Sequence, residues 1–562
     1  MKKTLHTLVC TVLCVFLFSG AVFASDDQGL VIDIDKTSMS GIEIHVSDLS
    51  QTIKPFGTDT LLKALRTADE DVANIAALIL GAQIKELAVS YDGGEDFLVA
   101  LGLPAGDLTL LGQGELSVES LGKAFGASSE PYFKEEGLEK SQLTAVAPQI
   151  FSANSGQFFA VEGQTLLVGS SQKSVQAGLD KVKKGQAIVA VPNSGQATWM
   201  KTTYTVFHAT AEAGPFKETP LNEEVLVFNT KDGLEFQKTA NYTDIIPSLN
   251  AVAPVNVKDL PFFGATDQNI LFSVSGSLLD VVSKIKLASE GSSMSADGML
   301  PVALKDLKRI TLVTGGAQSS IMGMTIPAFY ASIDAAATVL DFLTPLVQSL
   351  NGQGWKDKQV SGWDSMSTVD TLDMGGSPVP VPGFMGKRGE QMVLGSINSD
   401  ALAQAAGMPE MLKTLPDSAE FSMMTSLDPK SLWSQVAEAM KPGTMLRGLS
   451  GIDSRLDEAE KLALANLLAT PFPVKQVIQW SSPNLNETRG VVLLEGSIQP
   501  FIDAVCAFII ATEGEADSGA PDPAGQAGAQ NAGQVSPEKP KEGTGTTEEN
   551  LFDRYKNTAP KK

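Results

Sequence analysis

Cysteine and histidine are scarce in this chain, with 3 of each among 562 residues. Cys10, Cys14 and His6 fall within the first 24 positions, which leaves Cys506, His45 and His208 for the rest of the chain. One thiol closes no internal disulfide. Three distant ligands furnish no Cys/His zinc site, no Cys–His nucleophilic pair and no thioredoxin-type dithiol. Basic residues are outnumbered, 42 Lys+Arg against 65 Asp+Glu, a net charge of −23. A surface of that sign repels phosphate backbones and anionic headgroups, which argues against nucleic acid as a partner. Long hydrophobic runs are missing beyond residue 24. The nearest approach, Phe501 to Ala511, is short and carries Asp503, whereas a membrane helix needs roughly 20 apolar residues. Also missing are a Gly-x-Ser-x-Gly elbow, a phosphate-binding Gly-rich loop with Lys-Ser or Lys-Thr, and a His-Glu-x-x-His pair, so hydrolase, nucleotide-dependent and zinc-protease readings lose their usual support.

What is present begins with the first 24 residues. Lys2 and Lys3 precede an apolar run from Leu8 to Phe18, followed by small residues and Val22-Phe23-Ala24. This is the layout of a secretory signal peptide cut after Ala24, and it predicts a periplasmic or extracellular protein with no transmembrane helix after cleavage. Neither Cys10, after Val9, nor Cys14, after Leu13, has the small-residue context of a lipid-anchor site. At the other end, residues 513–562 turn to Gly, Ala, Pro, Gln, Ser and charge, with almost no aliphatic residue before Leu551. Such a segment buries too little apolar area to offset an ordering entropy of about 1–2 kcal/mol per residue, and it reads as a disordered tail. Leu551, Phe552 and Tyr555, beside Arg554 and Lys556, form a small apolar cluster that suits tail docking to a partner.

An internal repeat is the strongest signal between these ends. Ile84-Lys85-Glu86-Leu87-Ala88-Val89 aligns with Leu307-Lys308-Arg309-Ile310-Thr311-Leu312, an offset of 223 (307 − 84) that also pairs Pro104 with Pro327. Gly163 and Leu166-Leu167-Val168-Gly169-Ser170 align with Gly389 and Met392-Val393-Leu394-Gly395-Ser396 at 226 (389 − 163). Pro192, Ser194 and Met200 align with Pro416, Ser418 and Met424 at 224 (416 − 192), and Gly276-Ser277-Leu278 with Gly496-Ser497-Ile498 at 220 (496 − 276). The landmarks keep their order while the offset drifts by a few residues. Short aliphatic strands interleaved with amphipathic helices argue for an α+β fold, antiparallel sheets covered by helices. The expected organisation is a signal peptide at 1–24, a first repeat half at 25–290, a second at 291–512 and the tail at 513–562. Leu30 to Val46 reads as a hairpin followed by a helix near Thr58 to Leu80. Further helices are expected near Asp334 to Leu350, Asp428 to Met440 and Asp453 to Leu468. Asp428-Pro429 supplies an N-cap with proline at the first helical position.

Several residues invite chemistry. Ser170-Ser171-Gln172-Lys173 fits a Ser-x-x-Lys nucleophile pattern, yet it sits where a strand enters a helix, so Ser170 or Ser171 is expected to act as an N-cap, and Ser399 replaces the lysine in the second copy. Asp33 and Asp35 alternate with apolar residues, as do Glu43 and His45; paired as a hairpin, the four would offer ligands to a divalent cation on one face. The plainer expectation is a solvated polar face, as for the acidic run Asp69-Glu70-Asp71. His208 has no neighbouring cysteine, and Cys506 lies in an apolar stretch where a thiol behaves as a hydrophobe. No catalytic, cofactor-binding or metal residue is therefore assigned. The leading expectation is a non-catalytic exported envelope binding or scaffold protein, its partner an envelope protein or an apolar ligand. A carrier of a lipid or other hydrophobic molecule, and a carboxylate-dependent hydrolase with two acids about 5–10 Å apart, are the alternatives.

Overall fold

The computed structural model describes residues 30–513 except 50–58, 69–83, 127–140, 192–196, 211–214, 263–269, 295–305, 397–411 and several shorter breaks. Expectations for the leader, the tail with Leu551, Phe552 and Tyr555, Asp69-Glu70-Asp71, Pro192, Ser194, Ser399, Pro416 and Ser418 lie outside the described residues.

The chain opens with β1 (Leu30–Val46) and α1 (Asp59–Ala68), then β2 (Glu86–Tyr91), β3 (Phe97–Gly102), α2 (Val118–Phe125), β4 (Phe158–Glu162), β5 (Thr165–Gly169) and α3 (Gln172–Lys183). Three long strands follow, β6 (Ala197–Thr210), β7 (Lys217–Thr230) and β8 (Gly233–Ala240). Hydrogen bonding orders these strands β4-β5-β3-β2-β1-β6-β7-β8, all antiparallel.

Beyond them come β9 (Ile270–Ser275), α4 (Gly276–Ser283), β10 (Ile285–Ser289), β11 (Leu307–Ile321), β12 (Met324–Ala335), α5 (Ala337–Leu350), β13 (Gly383–Arg388) and β14 (Gln391–Gly395). The chain closes with β15 (Met423–Leu427), α6 (Pro429–Ala439), α7 (Glu458–Ala469), β16 (Val474–Ser481), β17 (Glu487–Leu494) and α8 (Gln499–Glu513). These strands run β13-β14-β12-β11-β9-β15-β16-β17, again antiparallel. Pairing of β8 with β17 fuses the two sets into one mixed α/β body with a large antiparallel sheet. The β1–β10 pair is parallel.

Local chemistry explains many of the boundaries. The β4–β5 and β13–β14 hairpins turn on Gly163 (φ 58°) and Gly389 (φ 57°). Each is the first of two loop residues, where a two-residue turn of the II′ kind needs positive φ. Asp428 caps α6 by accepting the Ser431 N–H at 2.8 Å, with Pro429 at the first helical position. The helix expected from Asp453 starts at Glu458 instead. There Asp457 and Glu460 form a reciprocal capping box, with both bonds at 2.7 Å, while Asp453 is held by Arg447 at 2.7 Å. Likewise Asp334 belongs to β12 and α5 begins at Ala337.

The expected hairpin over Leu30 to Val46 is a single strand. The polar stretch that reads as a turn is absorbed in a bulge: the Lys36 N–H donates to Asp33 Oδ1 at 3.2 Å, the Thr37 hydroxyl donates to the Asp33 carbonyl at 2.8 Å, and β6 pairs on both sides of it.

Apolar side chains pack on both faces of each set. Ala88, Leu98, Ala100, Leu167, Trp199 and residues of α3 form one core, and Leu103, Leu111, Phe125 and Leu166 another on the opposite face. In the second set, Val313, Tyr330, Phe384, Val393, Leu412 and Met424 are matched across the sheet by Leu307, Leu340, Met385 and Met392. Cys506 is buried in α8, which packs on α1 and α7. Burial raises its thiol pKa, with a lesser contribution from Asp503, so it stays a protonated, apolar side chain.

Candidate functional site

A cleft of about 480 Å³ opens where β2, β3 and β5 end, lined among others by His45, Ser47, Lys85, Glu86, Gly102 and Gln164. Strand register builds it. Glu86 stands opposite Gly102, and Gly102 opposite Thr165, so the middle position of this row has no side chain. A Cβ at Gly102 would sit 3.2 Å from the Glu86 Cβ and 3.4 Å from the Glu86 backbone nitrogen, a tight fit against atoms the strand holds in place. His45 lies one strand over, opposite Ala88 and Trp199, and its Nε2 meets Glu86 Oε1 at 3.1 Å. That hydrogen bond, with the ring's charge behind it, holds the Glu86 carboxyl below the usual carboxylate range against the opposing effect of burial. Among the described residues, His45 Nδ1 and the indole N–H of Trp199 are both buried without a hydrogen-bond partner. Buried polar atoms left unpaired cost about 1–3 kcal/mol each, and among the described residues His208 Nδ1 and Arg309 Nε are in the same state.

The matching row of the second set is filled. Arg309 lies opposite Asp334, and Asp334 opposite Gln391. The guanidinium pairs with the Asp334 carboxylate and donates from Nη1 to the Asp259 carbonyl at 2.6 Å. Gln391 Nε2 and the Ser332 hydroxyl also donate to Asp334, at 3.0 and 3.3 Å. On the next residues, Lys308 is paired with Glu390, whereas Lys85 has no ion pair among the described residues.

The four candidate cation ligands do not assemble. Because β1 is one strand, Asp33 and Asp35 lie near its start and Glu43 and His45 near its end. Asp33 pairs with Lys36 at 2.9 Å. Among the described residues no group of three or more His, Cys, Asp or Glu is placed to hold a metal ion.

Ser170 is not the helix cap. Ser171 takes that role, accepting the Ser174 N–H at 3.1 Å. Ser170 instead accepts the Phe97 N–H at 2.9 Å and returns its own N–H to the Phe97 carbonyl at 3.2 Å. Ser396 does the same to Phe329, accepting at 3.2 Å and donating at 2.8 Å. Lys173 is exposed on α3 and makes no bond to Ser170. His208 is buried, its Nε2 2.8 Å from the Thr219 hydroxyl, and burial, aided by Lys217, lowers its pKa.

No helix of the described residues is long and apolar enough to cross a membrane. No family model, curated protein or solved structure matches the chain.

Proposed function

We propose that this is an exported, non-catalytic binding protein made of two copies of one sheet unit, in which the first copy keeps a ligand cleft and the second has closed it. Duplication is supported by the strand orders, which match position by position from β4-β5-β3-β2-β1-β6-β7-β8 to β13-β14-β12-β11-β9-β15-β16-β17. Details recur with them: the turn glycines 163 and 389, the reciprocal serine–phenylalanine bonds, and the Leu103 to Gln164 and Ala335 to Glu390 backbone bonds, both 2.9 Å. On this reading β9 opens the second copy, so the seam precedes Ile270, and two of the sequence matches are not equivalences: Gly276 and Gly496 both lie in the second copy, and the register that sets Gly102 against Asp334 separates Pro104 from Pro327. The signal-like leader supports export.

The observation that carries the binding role is the contrast between the open Glu86-Gly102 row and the filled Arg309-Asp334 row. The cleft sets the charged Lys85 and Glu86 beside an apolar wall that includes Leu103, Pro104, Ala187 and Val191, which suits a small ligand with both charged and apolar parts. A hydrolase reading is disfavoured by geometry: among the described residues Glu86 is the one carboxylate lining the cleft, Ser47 makes no hydrogen bond to His45, and His45 Nδ1 is buried without a partner.

Native mass spectrometry of the protein purified from its own cells tests the proposal. The expected spectrum has residues 1–24 removed and carries a small-molecule adduct that the Glu86→Arg chain lacks. An adduct that persists in Glu86→Arg, or none in the unaltered protein, would contradict the cleft's role; retention of Met1 to Ala24 would contradict export.

A further inference from the structure

We infer that the cleft takes a small zwitterion, a free amino acid or short peptide, with its ammonium on Glu86 and its carboxylate on Lys85. This rests on the duplicated-copy reading above and adds the ligand's charge pattern to it.

The second copy contains two intramolecular charge pairs at the strand ends, Arg309 with Asp334 and Lys308 with Glu390. Strand register equates these four residues with Glu86, Gly102, Lys85 and Gln164 in the first copy. Each pair has there lost one member. Gly102 removes the side chain that would face Glu86, and Gln164 removes the charge that would face Lys85. What remains is one carboxylate and one ammonium on consecutive residues, both exposed and both lining the same cleft. His45 occupies Oε1 of Glu86 and fixes its orientation, which leaves the other oxygen for a donor. A ligand that restores both pairs must carry a positive and a negative group close together. The cleft volume lies within the range of small-molecule sites. A dianion would meet Glu86 as a like charge and a dication would meet Lys85, so each completes only one pair and opposes the other.

The test uses the full chain with its histidines ¹³C-labelled, since 3 histidines give an uncrowded spectrum and His45→Gln assigns the signal of the cleft. Pooled L-amino acids and dialanine are the probes, with N-acetyl-alanine and alanine amide as single-charge controls. The expected result is a saturable shift of the His45 signal with at least one zwitterion. Affinity should fall at least tenfold for the matching N-acetylated or amidated form. Glu86→Gln should weaken the zwitterion at least tenfold while leaving the N-acetylated form unaffected, and Lys85→Met should weaken the zwitterion likewise while leaving the amidated form unaffected. No shift with any zwitterion, or binding indifferent to both substitutions, overturns the inference. A deproteinised extract of the source cells, added as a separate arm, tells that failure from failure of the binding role. If the extract moves His45 while every zwitterion does not, the cleft binds something of another charge pattern and only this inference falls; if neither moves it, both fall.

Discussion

At the ends of the paired strands, the two halves of the molecule solve one structural problem in opposite ways. In the second half a guanidinium and a carboxylate face each other, the guanidinium also donating to the Asp259 carbonyl and the carboxylate also accepting from Gln391 and Ser332. In the first half an acid faces a glycine, an imidazole leans on the acid, and the space stays open. Both arrangements leave a polar atom unmet among the described residues, Arg309 Nε in the filled row and His45 Nδ1 and the Trp199 N–H beside the open one. What differs is the space: a charged pair fills one row and the other stays open, and on the duplicated-copy reading the open row is the place to look for function.

The largest expected effect sharpens that contrast. Arg309→Ala removes one partner of a largely buried pair and strands Asp334, at a cost of about 3–5 kcal/mol in denaturant unfolding. Glu86 is more than half exposed at the side chain, so Glu86→Gln should leave stability within about 0.5 kcal/mol. Equal costs at the two positions would break the comparison.

Next in size are the glycines that end β5 and β14. Neither has positive φ. A Cβ at Gly169 would lie 2.7 Å from Ser174 Oγ and 2.9 Å from the Phe97 carbonyl; at Gly395 it would overlap the Phe329 carbonyl and lie 2.7 Å from the Tyr330 Cα. Gly395→Val should cost about 2–4 kcal/mol and Gly169→Val about 1–3, because the Cβ at Gly395 meets backbone alone and more closely, whereas at Gly169 two of its three near contacts are side-chain ends that can yield. A larger loss at Gly169, read from unfolding midpoints, would reverse the order argued here.

Smaller losses are expected at the serines that follow. Ser170→Ala and Ser396→Ala each leave a backbone N–H without its side-chain acceptor, worth about 1–2 kcal/mol, with the buried Ser396 the more costly. Ser171→Ala removes the true cap of α3 and should cost about 1 kcal/mol. Thermal melts of the three variants check this.

The smallest effect concerns pH. His208 is depressed below its ordinary value of 6.5 in the folded chain. As pH falls through 6.5 the unfolded chain takes the proton first, so stability declines between 6.5 and the folded value and is level below it. His208→Gln should flatten the dependence of unfolding midpoint on pH in that window. An unchanged slope would mean that the ring titrates normally.

Much of the fold was readable from sequence because its signals are local. Short aliphatic runs mark β2, β5, β11 and β14, Asp428-Pro429 marks the start of α6, and Gly163 and Gly389 recur as landmarks ahead of β5 and β14. Failures came where a second strand decides. Lys36-Thr37-Ser38 is polar enough for a turn, and pairing with the long β6 on both sides makes it a bulge within one strand instead. Ser170 and Ser171 are chemically alike, and the Phe97 N–H selects which of them caps. The cleft was half visible: Glu86 was already aligned with Arg309, a reversal of charge. That Gly102 faces the one and Asp334 the other depends on cross-strand register, at an offset of 232 (334 − 102) that no local match reveals. His45 was legible as a candidate, but with the wrong companions, since its partner Glu86 lies 41 residues away on β2.

The most direct test of the open-versus-filled account is a crystal structure of the full chain grown with dialanine. The account predicts electron density for the dipeptide between Glu86 and Lys85, its ammonium on the carboxylate, with Arg309 and Asp334 still paired and nothing bound beside them. An empty cleft at saturating dipeptide, or density at the Arg309–Asp334 position instead, would contradict it.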